Sequence, residues 1–436
     1  MRTKLILLTF LFALAASGLT LEEAIDRAME ANSEVLMSSS SADAARMDAK
    51  SAFTNFLPRI KAEASYTRLD EVPTIVMPEE FSMFMPEGGI PMGDDDNYNL
   101  TLGVQQPIFM GGKIFNGYRA AQAGAEMEAL GKDNSLNSVG KQVAQAYFGV
   151  IKAELFRESM DDARERMDAH LRVIEAMYEQ GLVSRNDLLK TRVASSEIDL
   201  MKIQSENAVN AARLGLNFML NYPDDTTLIL DPDTSVAEID LPNYRADIEK
   251  AMNHRVDIRQ MEKAVEASKA GVNIAYGSFS PNIVGIFNFA YQRPNRANEP
   301  EFYDSWNATL AASWDLISFG ERFFGVKKAK YMRDRAMEAH SMIKRAAEME
   351  IRNQFNVLRE IQQRLDVSRI KLEQAREGYR VAQAEFGAGL ATNTDVLDAN
   401  SSLIQAQNEY ISAIADYKVA SIEYDVAIGI NFTTER

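Results

Sequence analysis

The chain has 436 residues, with 47 Lys and Arg against 63 Asp and Glu, a formal net charge of −16 and a pI near 4.9. That balance excludes the basic footprint nucleic-acid binding requires. The absence of cysteine excludes disulfides, thiolate metal sites and lipidation on an N-terminal cysteine.

Residues 1–18 read as a secretory signal peptide: Arg2 and Lys4 precede the apolar run Leu5 to Ala16, and small residues follow. No later run is long and apolar enough for a spanning helix. An amphipathic helix is expected from about Leu21 to Phe56, opened by Thr20 with Glu23 three residues on. Leu57-Pro58 ends it, and the period then changes from 3.6 to 2. Ile60, Ala62, Ala64 and Tyr66 alternate with Lys61, Glu63, Ser65 and Thr67, a strand over about 59–69. A turn-rich segment, 70–96, carries Met77, Met83, Met85 and Met92. These are packing residues or soft-metal ligands, and Asp94-Asp95-Asp96 is a solvated run or a calcium site. A second strand covers about 97–109 and closes at Gly111-Gly112. A long helix follows to a turn at about 180–187, and then a second helix.

This order is repeated. Phe56 to Ile60 recurs as Phe279 to Ile283, Gln106 to Gly112 as Trp314 to Gly320, and Gly181 to Leu189 as Gly389 to Leu397. The first repeat spans 19–221, a linker 222–243, and the second repeat 244–430, with strands at about 282–292 and 305–317 and a turn at about 387–395. Thr227 to Leu230 in the linker reads as a short strand. Both tryptophans, Trp306 and Trp314, fall on the apolar face of the last strand. From Phe319 to Ala388 there is no proline, and Ile351, Leu358, Leu365, Leu372, Tyr379 and Phe386 recur every seven residues. Ala146, Ala153, Met160, Met167 and Ile174 do so in the first copy, as do Val396, Leu403, Tyr410, Tyr417 and Tyr424 after the second turn. Sustained heptads imply coiled-coil packing in helices on the order of 100 Å long.

Four strands of 10 to 13 residues, with one apolar face and aromatic ends, suit a tilted bilayer span. Four cannot close a barrel, and lipid does not tolerate an open edge. Three copies would supply twelve strands, an even number wide enough for a pore. A soluble two-hairpin sheet, and a non-channel structural or adhesive surface coiled coil, are the competing readings. The duplicated hairpin borders and the paired turns Gly181-Leu182-Val183-Ser184 and Gly389-Leu390-Ala391-Thr392 resemble the TolC-type outer-membrane factor family over the whole mature chain.

The resemblance implies an α+β membrane protein: a duplicated helix-strand-strand-long helix-helix unit. As a homotrimer it forms a 12-stranded outer-membrane β-barrel continued by a long periplasmic α-helical barrel. It implies a passive exit duct for a tripartite efflux pump or type I secretion system. The partners would be outer-membrane lipid, a periplasmic adaptor (membrane fusion) protein and an inner-membrane RND or ABC transporter. No catalytic motif and no cofactor are expected. His170, His254 and His340 lack spaced partners and read as core or solvated residues.

By resemblance, Asp395 and Asp398 match acidic rings at a closed periplasmic entrance. Read locally, they serve as helix cap and first-turn acid. Phe386 stands where the family often carries a gating tyrosine. Ala391 replaces the family's tip arginine, and Arg185, near Asp187 in the other turn, is the substitute. Gly181, Leu182, Val183, Ser184, Gly389, Leu390, Ala391 and Thr392 match the adaptor-docking tips, where glycine C-caps and hydroxyl N-caps are also expected.

Overall fold

A computed structural model describes residues 18–75, 90–231 and 241–432. The expected signal peptide up to Ser17, the methionines 77, 83 and 85, and residues 232–240 of the linker lie outside the described residues. The first repeat runs α1 (Leu21–Ala31), α2 (Ser33–Thr54), β1 (Arg59–Arg68), the two-residue strands β2 (Thr74–Ile75) and β3 (Ile90–Pro91), β4 (Asp96–Phe109), α3 (Lys113–Glu179) and α4 (Arg185–Met219). The second runs α5 (Tyr244–His254), α6 (Val256–Gly277), β5 (Asn282–Arg293), β6 (Tyr303–Ser313), α7 (Glu321–Gly387) and α8 (Asn393–Ala427). Helices of 11, 22, 67 and 35 residues occur in that order in both copies. Duplicated positions are therefore 223 apart before the hairpins (Leu21 and Tyr244) and 208 apart after them (Lys113 and Glu321).

The single helix expected over Leu21 to Phe56 is two helices. Asn32 breaks it with extended backbone (φ −69°, ψ 132°). Its Oδ1 accepts from the Glu34 N–H at 2.9 Å, and its Nδ2 donates to the Met219 carbonyl at 3.1 Å. The duplicated break is at Arg255, which donates to the Ala427 carbonyl at 2.8 Å and to Asp257 and Glu350 at 2.7 and 2.8 Å. In each copy the break residue thus satisfies a carbonyl at the end of the last helix, which has no partner inside its own helix. A 3.6-residue period does not reveal one extended residue between two helices.

The chain forms two compact units: Met1–Ala42, Glu128–Gln260 and Ser341–Arg436 in one, Asp43–Met127 and Met261–His340 in the other. In the first, the heptad residues Ile351, Leu358, Leu365, Leu372, Tyr379 and Phe386 are all buried, with Met160, Met167 and Ile174 of α3 and Val396, Leu403 and Tyr424 of α8. Each large apolar side chain buried this way contributes about 1.5–3 kcal/mol. Lys202–Asp161 and Arg213–Glu154 bridge α3 to α4, and Lys371–Glu409 and Arg364–Asp416 bridge α7 to α8. Such half-exposed pairs fix register more than they stabilise. The short strand expected at Thr227 to Leu230 is reduced to one parallel bridge, Leu19 to Leu230. Leu19 exchanges both of its backbone hydrogen bonds there, with the Ile229 carbonyl at 2.7 Å and the Asp231 N–H at 3.0 Å, and the Tyr147 hydroxyl lies 2.7 and 2.9 Å from the Leu19 and Asp231 carbonyls.

The second unit holds an antiparallel sheet in the order β1-β4-β5-β6. Ile60 faces Val104, Ala62 faces Leu102, Ala64 faces Leu100 and Tyr66 faces Tyr98. Leu100, Leu102 and Val104 in turn face Tyr291, Phe289 and Phe287, and Phe289 faces Trp306. Directly opposed residues share a face, so one apolar face crosses all four strands. It is solvent-accessible in the single chain: Ile60 is 71% and Leu310 71% exposed. The opposite face carries Glu63, Thr101, Asn99, Asn288, Asn307 and Thr309. β6 ends at Ser313 instead of about 317, because its partner β5 begins only after Pro281. Trp314 therefore lies past the strand, and its indole N–H donates to the Phe279 carbonyl at 3.1 Å.

Arg255 has a side chain only 12% exposed and two carboxylate partners. Arg255→Ala is expected to cost about 3–5 kcal/mol, as removal of one member of a buried ion pair does. Asn32→Ala loses a neutral hydrogen bond and is expected to cost about 1 kcal/mol. Chemical denaturation of the two variants checks the ranking, and the reverse order would refute it.

Candidate functional site

The two helical turns are built alike. In the first, the Leu182 N–H donates to the Met177 carbonyl and the Gly181 N–H to that of Tyr178, both at 2.9 Å. In the second, Leu390 donates to Glu385 at 2.8 Å and Gly389 to Phe386 at 3.0 Å. These are Schellman caps, and they need a left-handed residue. Gly181 (φ +72°) and Gly389 (φ +75°) supply it without a Cβ clash. Each next helix opens with a reciprocal capping box, Ser184 with Asp187 and Thr392 with Asp395. The local reading of Asp395 is therefore realised. Hydrogen bonds from the Thr392 hydroxyl and N–H hold its carboxyl below the usual carboxylate range.

Asp395 and Asp398 are both exposed, and Asp398 lines a groove of about 570 Å³ with Leu189, Lys190, Val193 and Thr394. Leu182 and Leu390 stand at the turns 65% and 80% exposed. Arg185 and Gly181 are also exposed, and Val183 and Ala391 are half-buried. Among the described residues Arg185 forms no ion pair. Phe386 is buried, its ring 5.5 Å from that of His170 in an edge-on arrangement. It packs in the tip interior.

The turns differ in one buried polar cluster. Asn393 occupies the position duplicated from exposed Arg185 and is itself buried. Its Nδ2 donates to the Asp187 carbonyl at 3.1 Å and the Thr191 hydroxyl at 3.0 Å, and its Oδ1 lies 2.8 Å from His170 Nε2. With Oδ1 as the acceptor, His170 Nε2 carries a proton. Three helices, α3, α4 and α8, are tied at one point. Neither Asn393 nor Thr191 stood out in the sequence. One signal was available: His170 lies three residues after Met167, on the companion stripe of the α3 heptad. Among the described residues no group of three His, Asp or Glu could hold a metal ion.

Burial lowers the His170 pKa from its ordinary value near 6.5, so the imidazole is neutral in the folded tip. A locally unfolded tip takes up a proton that the folded one refuses. Stability is therefore complete above about pH 6.5 and is lost as the pH falls below it. Hydrogen exchange at the turns, corrected for its intrinsic pH dependence, is expected to show weaker protection at pH 5.5 than at 7.5. His170→Gln should remove most of that difference, and an unchanged pH dependence in the variant would assign it elsewhere.

A family model described as "Outer membrane efflux protein" matches residues 24–222 and 248–429. The alkaline protease secretion protein AprF of Pseudomonas aeruginosa is 22% identical over 322 residues, covering 71% of this chain. The chain spans 65% of that relative's length. The proteases secretion protein PrtF of Dickeya chrysanthemi is 21% identical over 320 residues, 70% of this chain and 67% of its own. In fold, the Campylobacter jejuni CmeC outer membrane channel superposes with a TM-score of 0.81 at 17% identity, over 95% of this chain and 87% of its own. The Vibrio cholerae outer membrane protein VceC does so with 0.78 at 18%, over 94% and 96%.

Proposed function

This chain belongs to the outer membrane efflux protein family, and on that footing we propose that it is the outer-membrane exit duct of a tripartite export machine. One observation carries the reading. The four-stranded sheet exposes an apolar face on one side, a face rich in Asn and Thr on the other, and unpaired edges at β1 and β6. In lipid every backbone group must be paired within protein, so those edges must meet further strands. Three chains give a 12-stranded barrel with the apolar face to lipid and the polar face to the lumen.

The duplication indicates how the chains join. Within one chain, Gly111 lies against the Gly277 backbone at the β4–β5 junction, so close that a Cβ on it would be 2.4 Å from the Gly277 carbonyl oxygen. The duplicated position is Phe319, two residues before α7 as Gly111 is two residues before α3, and it is 97% exposed. The β6 edge of one chain then meets β1 of the next, and Phe319 packs on the end of the neighbour's α2.

The names of AprF and PrtF, which specify protease secretion, favour a polypeptide cargo over small-molecule efflux, and an ABC-type inner-membrane transporter is the partner the type I secretion reading adds. A periplasmic adaptor docks at the turns, with Leu182 and Leu390 as its apolar contacts. Around a three-fold axis the exposed Asp395 and Asp398 form acidic rings that favour cations. Arg185 pairs with an acidic neighbour at the same entrance, and buried Phe386 holds α7 in place behind the rings.

Reconstituted in planar bilayers, the mature protein is expected to form cation-selective channels. Asp395→Asn with Asp398→Asn keeps the capping acceptors and removes the charge, and it should lower the cation preference severalfold in reversal-potential measurements. An unchanged selectivity removes the rings. Phe319→Glu is expected to shift the detergent-solubilised particle from trimer to monomer, read by native mass. A wild-type chain that purifies without detergent as a monomer and never conducts would refute the duct itself.

A further inference from the structure

The two copies can be compared at the groove between the helix that leads into each hairpin and the helix that leaves it. In the first copy that groove is filled. Tyr118 of α3 packs edge-on against Phe53 and Phe56, with ring centroids 5.7 and 6.2 Å apart. The position duplicated from Tyr118 is Val326, a smaller and buried side chain. The counterparts of Phe53 and Phe56 are Tyr276 and Phe279, and among the described residues no aromatic ring packs on either. An open groove of about 430 Å³ remains between α6 and α7, lined by Tyr276, Phe279, Phe323, Lys327, Lys330 and Tyr331 among others.

Its charge has changed as well. Arg119 and Gln122 of the first copy are replaced by Lys327 and Lys330, two ammonium groups one helical turn apart. Lys330 Nζ lies 5.4 Å from the Tyr276 ring centre, and Lys327 Nζ 5.9 Å from that of Tyr331. Neither forms an ion pair among the described residues. Asp334, the acidic residue of the lining, is taken by Arg333 at 2.6 Å. In a chain of net charge −16, residues 321–335 hold six cations and two acids.

The groove also adjoins the apolar face of the sheet. Trp314 continues the alternation of Leu310 and Ala312 and is exposed, and its indole N–H is bonded to the carbonyl of Phe279, a groove residue. Apolar strand face, exposed aromatic rings and unpaired ammonium groups follow one another in the order in which acyl chain, glycerol region and phosphate follow one another in a leaflet.

We propose that the α6–α7 groove is a binding site for the phosphate headgroup of an anionic glycerophospholipid. The acyl chains lie along Phe279, Phe323 and Trp314, and Lys327 and Lys330 hold the phosphodiester. The proposal rests on the export-duct reading, which turns the apolar face to lipid and places the helical end of the sheet at the inner, phospholipid leaflet. The filled first-copy groove makes this one site per chain. Lipid A is also phosphorylated, but it occupies the other leaflet, at the loop end of the strands.

The test uses the mature protein in phosphatidylcholine nanodiscs, with phosphatidylglycerol, phosphatidylethanolamine or lipid A added and retained lipid counted by native mass spectrometry. The wild type is expected to retain phosphatidylglycerol over phosphatidylethanolamine by on the order of tenfold, the scale of two ammonium groups beside an anionic headgroup. Lys327→Gln with Lys330→Gln should abolish the preference. Val326→Tyr, which restores the first copy's plug and leaves both charges, should abolish it too. Lys328→Gln with Arg335→Gln removes two nearby cations that do not line the groove and should leave it intact. Three results would overturn the site: a preference that survives the first two variants, one lost equally in the third, or stronger retention of lipid A. Conductance is recorded on each sample. A conducting wild type without lipid preference fails this proposal alone, whereas one that neither inserts nor conducts fails the duct reading and this proposal with it.

Discussion

An antiparallel sheet with two open edges and a bare apolar face is not a stable end state for a single chain. The edges leave rows of N–H and C=O groups unpaired, and the face leaves Ile60, Leu100, Trp306 and Leu310 in contact with water. Both deficits are met by one arrangement: closure with further strands, and transfer of the apolar face into hydrocarbon. On the proposed duct reading, assembly, membrane insertion and a lumen follow from one condition, that no backbone polar group enters lipid unpaired. The polar inner face needs no separate explanation, since strand alternation places Asn288 and Asn307 opposite whichever side Phe287 and Ala308 take.

Duplication provides most of the architecture and also a record of where the copies diverged. The helix lengths and the break positions at Asn32 and Arg255 are shared. So are the Schellman glycines and the capping boxes, because the same backbone terminations must be satisfied twice. Departures fall where the copies face different surroundings. Gly111 meets backbone inside the chain, whereas Phe319 meets none there. Exposed Arg185 corresponds to buried Asn393, which ties His170 and Thr191 into the tip. Tyr118 fills a groove that Val326 leaves open. Each substitution changes the local surroundings while the helix lengths stay the same in the two copies.

The tip combines an apolar core and a buried polar cluster in one set of residues. Phe386, Leu188 and Val396 close the apolar interior, and a three-helix polar cluster lies beside it. A buried network of this kind holds firmly only while every member is satisfied. Protonation of the imidazole places an unpaired charge where burial disfavours it, so the tip carries its own sensitivity to acid.

The sequence by itself determined the repeat, the two-residue alternation of the strands, the heptads and the turn chemistry. All of these are local or periodic, and periodicity records which face of an element is buried regardless of what buries it. It also fixed the strand faces and the capping roles of Ser184, Thr392 and Asp395. Only the tertiary structure decided the helix breaks, since Asn32 and Arg255 are set by carbonyls 187 and 172 residues away. It decided that β6 stops at Ser313, because strand length depends on a partner. The heptad already placed Phe386 on the buried face, but its contact with His170 and the Asn393 cluster were decided there too, since a side chain's neighbours across a coiled coil are not written in its own period. The groove at Lys327 and Lys330 became visible only when the two folded copies were set side by side. An unfilled space is a property of packing, and no residue in the sequence stands for it.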